Sequence, residues 1–261
     1  MPIDDMERIE ANTNRILSLN GKHRGDDIFV IGAGPQLNEI SEDAFRLLGN
    51  KITIGVNRVQ YKLKLTYFIS AYIAENLLAK MDQDDLVALH MRKEYVAPLD
   101  SRLLTVKRTH FDPAVGLPPE FSSPVPTIHT LRNVTLGATH LALILGAKRI
   151  IYLGIEQKNR LHYYNTDQKL KDRIADGLRR IENKDIFNID HKHCTFDYLM
   201  ELLHKPPEAL NQLDYLYDHR PTYRAYFEIL KQRGIAYYTT KKESVLFDSG
   251  APYLPLEAFL S

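Results

Sequence analysis

The chain has almost no cysteine. Cys194 is the single one in 261 residues, so no internal disulfide can form, and this fits a reducing compartment. Neither sign of charge is in excess: 34 Lys and Arg stand against 33 Asp and Glu, with 10 His. No global field therefore argues for a nucleic acid or a membrane surface as partner. The pairs Arg179-Arg180 and Lys241-Lys242 leave room for local basic patches. No apolar stretch approaches the roughly 20 residues of a membrane span. The opening Met1-Pro2-Ile3-Asp4-Asp5 is acidic and has no apolar signal core. Repeats and low-complexity tracts are missing as well. These absences set the expectation of a soluble, cytoplasmic protein.

What is present is a core. Apolar residues make up 44% of the chain, and the length is ample for one large α/β domain without demanding two. Ile3, Met6, Ile9, Ile16 and Leu19 recur at helical spacing, so about 3–20 reads as an amphipathic helix ended by Gly21 to Gly25. Strands are predicted at about 27–32, 52–56, 66–70, 86–89, 103–106, 149–153 and 235–238. Helices are predicted at 41–49, 72–81, 135–145, 195–204, 207–217 and 220–233. The stretch 112–126 carries five prolines (Pro113, Pro118, Pro119, Pro124 and Pro126) and reads as a surface loop. Residues 157–190 are polar and aromatic, and read as a lid. The organisation expected is a helical extension over 1–27 and one domain over 28–261. That domain is a Rossmann-like, doubly wound, mostly parallel sheet with a lid and C-terminal helices.

The most informative segment is Asp27-Ile28-Phe29-Val30-Ile31-Gly32-Ala33-Gly34-Pro35. A β-branched run breaks into a glycine turn, and Ser41-Glu42-Asp43 then opens a helix. Such a turn can offer backbone N–H groups to an anion, which makes a nucleotide phosphate the leading ligand. The dinucleotide pattern is not met, because Leu37 stands where the third glycine belongs, and no Gly-Lys-Ser/Thr follows to make a P-loop. An ordinary strand-to-helix turn is the plain alternative.

Other candidates fall at expected strand ends. Asn57 and Arg58 follow the second strand, and Asn57 can both donate to and accept from a ribose or base. Arg132, Asn133, Thr135, Leu136 and Gly137 open a helix, with Thr135 as candidate cap and Gly137 permitting close approach of a ligand or of a neighbouring element. Gly154, Ile155 and Glu156 end the strand at 149–153. Glu156 can bind a metal or a ribose, or cap a helix as a buried carboxylate. His191 and His193 suit general-base work on a hydroxyl, or are surface histidines; a zinc site is the third reading and would need further ligands that the sequence does not place. Tyr163 and Tyr164 can donate to a leaving phosphate, or pack the lid.

Taken in order, these segments resemble the bacterial sialyltransferases of glycosyltransferase family 42. They also resemble the wider group that includes the archaeal 6-hydroxymethyldihydropterin pyrophosphokinase-like proteins. The resembling stretches are Val30 to Pro35, Ile54 to Arg58, Arg132 to Gly137 and Leu145 to Glu156, with a looser continuation through 191–247. The family usually has Asp where Glu156 stands and Ser where Leu136 stands.

The resemblance implies roles. Gly32, Ala33, Gly34 and Pro35 would hold the nucleotide phosphates, and Asn57 would lie over the nucleotide sugar. Thr135, Leu136 and Gly137 would line the site through their backbone. Tyr163 and Tyr164 would stabilise the departing phosphate. His191, with His193 as its alternative, would deprotonate the acceptor hydroxyl. The function implied is transfer of a sugar from a nucleotide-activated donor, CMP-linked in the sialyltransferases, with no metal or other cofactor required. The acceptor is a glycan, a small molecule or a modified base. The pyrophosphokinase-like branch implies ATP and magnesium instead, with Glu156 or Asp190 as a magnesium ligand. A non-catalytic nucleotide-binding protein is the third reading. A nucleic-acid partner is not indicated, and a homo-oligomer stays open.

Overall fold

Asp27–Ile31 forms β1, the strand around which a single sheet is organised in this computed structural model. The description covers residues 3–56, 59, 62–71, 86–96, 103–130, 133–156 and 219–260. Within them the chain runs α1 (Ile3–Leu17), β1, a 3-10 turn (Pro35–Asn38), α2 (Glu42–Leu48), β2 (Ile52–Val56), β3 (Tyr67–Ser70), β4 (Val87–Arg92), β5 (Leu103–His110) and β6 (Thr127–Thr130). It continues with α3 (Val134–Leu145), β7 (Arg149–Leu153), α4 (Arg220–Gln232), β8 (Ala236–Thr239), α5 (Val245–Asp248) and a terminal 3-10 turn (Leu256–Phe259).

Each neighbouring pair in the sheet is parallel, in the order β6-β5-β4-β3-β2-β1-β7-β8. Strand alternation sorts the side chains onto two faces. Ile28, Val30, Ile150 and Tyr152 face a core closed by α1, α3 and α4, through Ile16, Leu141, Ile144, Tyr226 and Leu230. Phe29, Ile31, Ile151 and Leu153 face a second core with Leu37, Leu48, Leu256 and Phe259. Both faces are covered, which is the doubly wound α/β architecture expected from the sequence.

Helix starts follow local chemistry. Ser41 caps α2 by accepting from the Ala44 N–H. Asn133 caps α3 by accepting from the Thr135 N–H, so the cap is Asn133 and not Thr135. Gly146, at φ 90°, ends α3 in the left-handed conformation that glycine adopts without strain. Two strands exceed the sequence expectation: β4 runs on to Arg92, and β5 runs to His110. A further strand, β6, directly follows the proline-rich stretch. That stretch is not wholly superficial, because Leu117 and Phe121 are buried in the core.

After β1 the chain builds outward on one side through β6. It then crosses back by α3 to place β7 on the other side of β1. The point between β1 and β7 is where strand order reverses. Crevices for ligands form there, outside the carboxyl ends of the strands.

Candidate functional site

The carboxyl ends of β1 and β7 are knitted together by backbone bonds. The Gly32 N–H donates to Leu153 O at 2.8 Å, and the Gly34 N–H to Gly154 O at 2.8 Å. The missing side chains of both glycines are explained by this approach. A Cβ on Gly32 would collide with the Gly154 carbonyl oxygen, and one on Gly34 would collide with the Glu156 carboxylate. Gly154 itself takes φ +64°, and a Cβ there would stand 2.6 Å from Gly32 O.

Glu156 fills the crevice over the turn. Its Oε1 accepts from the Gln36 N–H at 2.6 Å. Its Oε2 is buried and has no hydrogen-bond partner among the described residues. Burial pushes the carboxyl above its ordinary pKa. The Gln36 N–H, its own N–H and Lys241 pull the other way, and Glu39 adds to the rise. The Leu37 N–H is bonded to Gly34 O at 3.2 Å. Most of the turn's amides are therefore not bare. Those of Gly32, Gly34, Gln36 and Leu37 are all taken from within the chain, that of Gln36 by the Glu156 carboxylate.

Gln36 ties three elements to this point. Its Oε1 accepts from the Gly154 N–H at 3.0 Å, and its Nε2 donates to Thr240 O at 2.9 Å and Thr240 Oγ1 at 3.1 Å. Thr240 Oγ1 in turn donates to Tyr152 O at 2.9 Å, and the Val245 N–H donates to Glu156 O at 2.8 Å. The corner after β8 thus walls one side of the crevice. Lys241 on that corner is paired with Glu39 at 2.6 Å, and Lys242 lies over the Tyr253 ring at 4.9 Å. Both members of the expected basic pair have partners.

Two helices begin at the same edge of the sheet. α3 leads directly into β7 and α4 directly into β8, so each helix starts on the side where the strands end. The Asn133 Nδ2 donates to Tyr223 OH at 2.9 Å, joining the two starts. His219, buried at the N-cap of α4, meets Tyr223 edge-on with ring centroids 6.5 Å apart.

Of the residues singled out in the sequence, Gly32, Ala33, Gly34 and Pro35 come together with Gly154, Ile155 and Glu156. Asn133 and Thr135 lie at the start of α3. The Leu136 side chain is fully buried in the core. Gly137 faces the sheet: a Cβ there would stand 2.9 Å from Met91 Sδ and 3.0 Å from Thr130 Cγ2, so its bareness serves helix-on-sheet packing. Asn57, Arg58, Arg132, Tyr163, Tyr164, Asp190, His191 and His193 lie outside the described residues. Gln36, Thr240, His219 and Tyr223 were not found from the sequence. Only Gln36, directly after Gly-Pro, carried a local signal.

No protein-family model matches the sequence, and no curated protein matches it. Among solved structures, the sialyltransferase CstII from Campylobacter jejuni, in complex with a substrate analogue, cytidine-5'-monophosphate, is similar over 89% of this chain and 86% of that chain. The two are 13% identical, with a TM-score of 0.44. A likeness at this level transfers no residue role from one chain to the other.

Proposed function

We propose that the chain is a glycosyltransferase that binds a nucleotide-activated sugar at the β1–β7 switch point and passes the sugar to an acceptor hydroxyl. The observation that carries the reading is the crevice where strand order reverses. There the turn at Gly32 and Gly34 meets Gly154, and the Glu156 carboxyl, bonded to the Gln36 N–H, fills the space over it. The ordered sequence resemblance supports the same reading.

In this reading the nucleotide phosphates approach the glycine turn, with Asn57, Arg58 and Arg132 beside the nucleotide. The acceptor oxygen forms a bond to the sugar carbon as the bond from that carbon to the phosphate oxygen breaks. The acceptor proton passes to His191 or His193, and Tyr163 and Tyr164 donate to the departing phosphate. His219, at the start of α4, is a third histidine to test as base.

A thermal-shift series with CMP, UDP, GDP and ATP, each with and without magnesium, tests the reading. Stabilisation by CMP or another nucleotide without metal, followed by turnover of the matching nucleotide sugar, is the expected result. A response to ATP that requires magnesium, with AMP released, would replace it with the pyrophosphokinase reading. Stabilisation with no turnover of any donor would leave a nucleotide-binding protein.

A further inference from the structure

We propose that Glu156 makes this crevice take an anion only together with a proton. The protonated carboxyl keeps Oε1 as acceptor for the Gln36 N–H and donates from Oε2 to the ligand's phosphate. The inference rests on the nucleotide reading above and deepens it by naming the binding chemistry of the phosphate.

Three observations converge on it. Glu156 is 7% exposed, and its Oε2 is a buried oxygen with no hydrogen-bond partner among the described residues. Such an atom calls for a donor or for a proton of its own. The amides of Gly32, Gly34 and Leu37 are committed to carbonyl oxygens, and that of Gln36 to Glu156 itself. An incoming phosphate therefore finds no free N–H among these four. Finally, the described charges facing Glu156 largely offset one another. Lys241, on the corner after β8, is ion-paired with Glu39, which follows the β1 turn, and Glu243 lies near Lys241. Two anions side by side in this setting repel. One proton between them turns repulsion into a strong hydrogen bond. The upward displacement of the free carboxyl's pKa by burial lowers the cost of that protonation.

The test is calorimetry of CMP and of inorganic pyrophosphate binding to the full chain, over roughly pH 5.5 to 8.5, in buffers of different ionisation enthalpy. Glu156→Gln is run in parallel. Its amide is close in shape to the neutral acid, keeps an acceptor for Gln36 and supplies a permanent donor. The difference between the two proteins removes the ligand's own phosphate titration. Wild type is expected to take up one proton at Glu156 per ligand. Its affinity should fall by about tenfold per pH unit, relative to the variant, once the carboxyl ionises. E156Q should bind at least as tightly at the high end of the range.

Equal pH dependence in the two proteins overturns the proposal, as does E156Q binding more weakly throughout. If the variant fails to fold, the wild-type count is read with CMP at about pH 8 and above, where the free phosphate is fully ionised: uptake of a proton there supports the proposal and no uptake overturns it. Should pyrophosphate bind with the proton while no nucleotide binds, the proton requirement holds and the nucleotide reading falls. Should neither ligand bind at any pH, both fall.

Discussion

The Glu156 carboxylate occupies the space that a side chain on Gly34 would need. These two positions are far apart in sequence, yet each sets what the other can be. An alanine at 34 would meet both Glu156 Oε2 and Gly154 O, the latter at 2.6 Å. Gly34→Ala should therefore destabilise the fold by about 1–3 kcal/mol, the usual cost of overpacking. Glu156→Ala in the same chain should return part of that loss. A double-mutant cycle by urea denaturation reads the coupling. Strict additivity would show that the two do not meet.

Gln36 serves three strand ends at once. Gln36→Met keeps its length and removes its bonds to the Gly154 N–H and to Thr240. Orphaning buried polar groups costs about 1–3 kcal/mol. The urea midpoint should fall with an unchanged slope. A midpoint equal to that of wild type would remove Gln36 from the support of the crevice.

His140 sets a pH dependence. It is fully buried, accepts at Nδ1 from the His129 N–H at 2.9 Å, and bonds through Nε2 to Pro118 O at 3.1 Å. Burial first, and then His129, push its pKa down from 6.5 to about 3. Below pH 6.5 the unfolded chain takes up a proton that the folded chain refuses. Stability from this group is therefore complete above that pH and is lost as pH falls towards 3. The slope should approach about 1.4 kcal/mol per pH unit. His140→Gln should flatten the difference in unfolding free energy between about pH 5 and pH 7. A variant that keeps the full wild-type dependence would place the titration elsewhere.

The proposed chemistry has its own variant. His191→Ala is expected to lower turnover of the nucleotide sugar by about 10²–10⁴, the contribution of a general base, and to leave nucleotide binding unchanged. His193→Ala and His219→Ala decide among the three histidines. Whichever is the base should also lose the corresponding limb of the pH–rate profile.

Much of the fold was legible because its signals are local. β1, β2, β3 and β7 are short β-branched or aromatic runs, and α2 carries its own Ser41 cap. β6 was hidden because Thr127-Ile128-His129-Thr130 is short and directly follows prolines. The cap of α3 was misplaced by two residues because Asn133 and Thr135 are both good cap types. At the candidate site only a set of glycines at strand ends was legible. Gly32, Gly34 and Gly154 were found as bare positions, but composition cannot say whether the missing Cβ makes room for a ligand or for another strand. That choice depends on contacts such as Gln36 with Glu156, which are 120 positions apart and leave no periodic trace.

β1 gains its second neighbour late. Asp27 and Arg149 meet across 122 positions, bonded from Arg149 Nε to Asp27 Oδ1 at 2.6 Å. A nascent chain that stops short of Arg149 holds the most apolar strand of the sheet with one flank open, a template for pairing with another copy. Assembly of the crevice and protection of that flank are then a single event, completed when α3 lays β7 alongside β1.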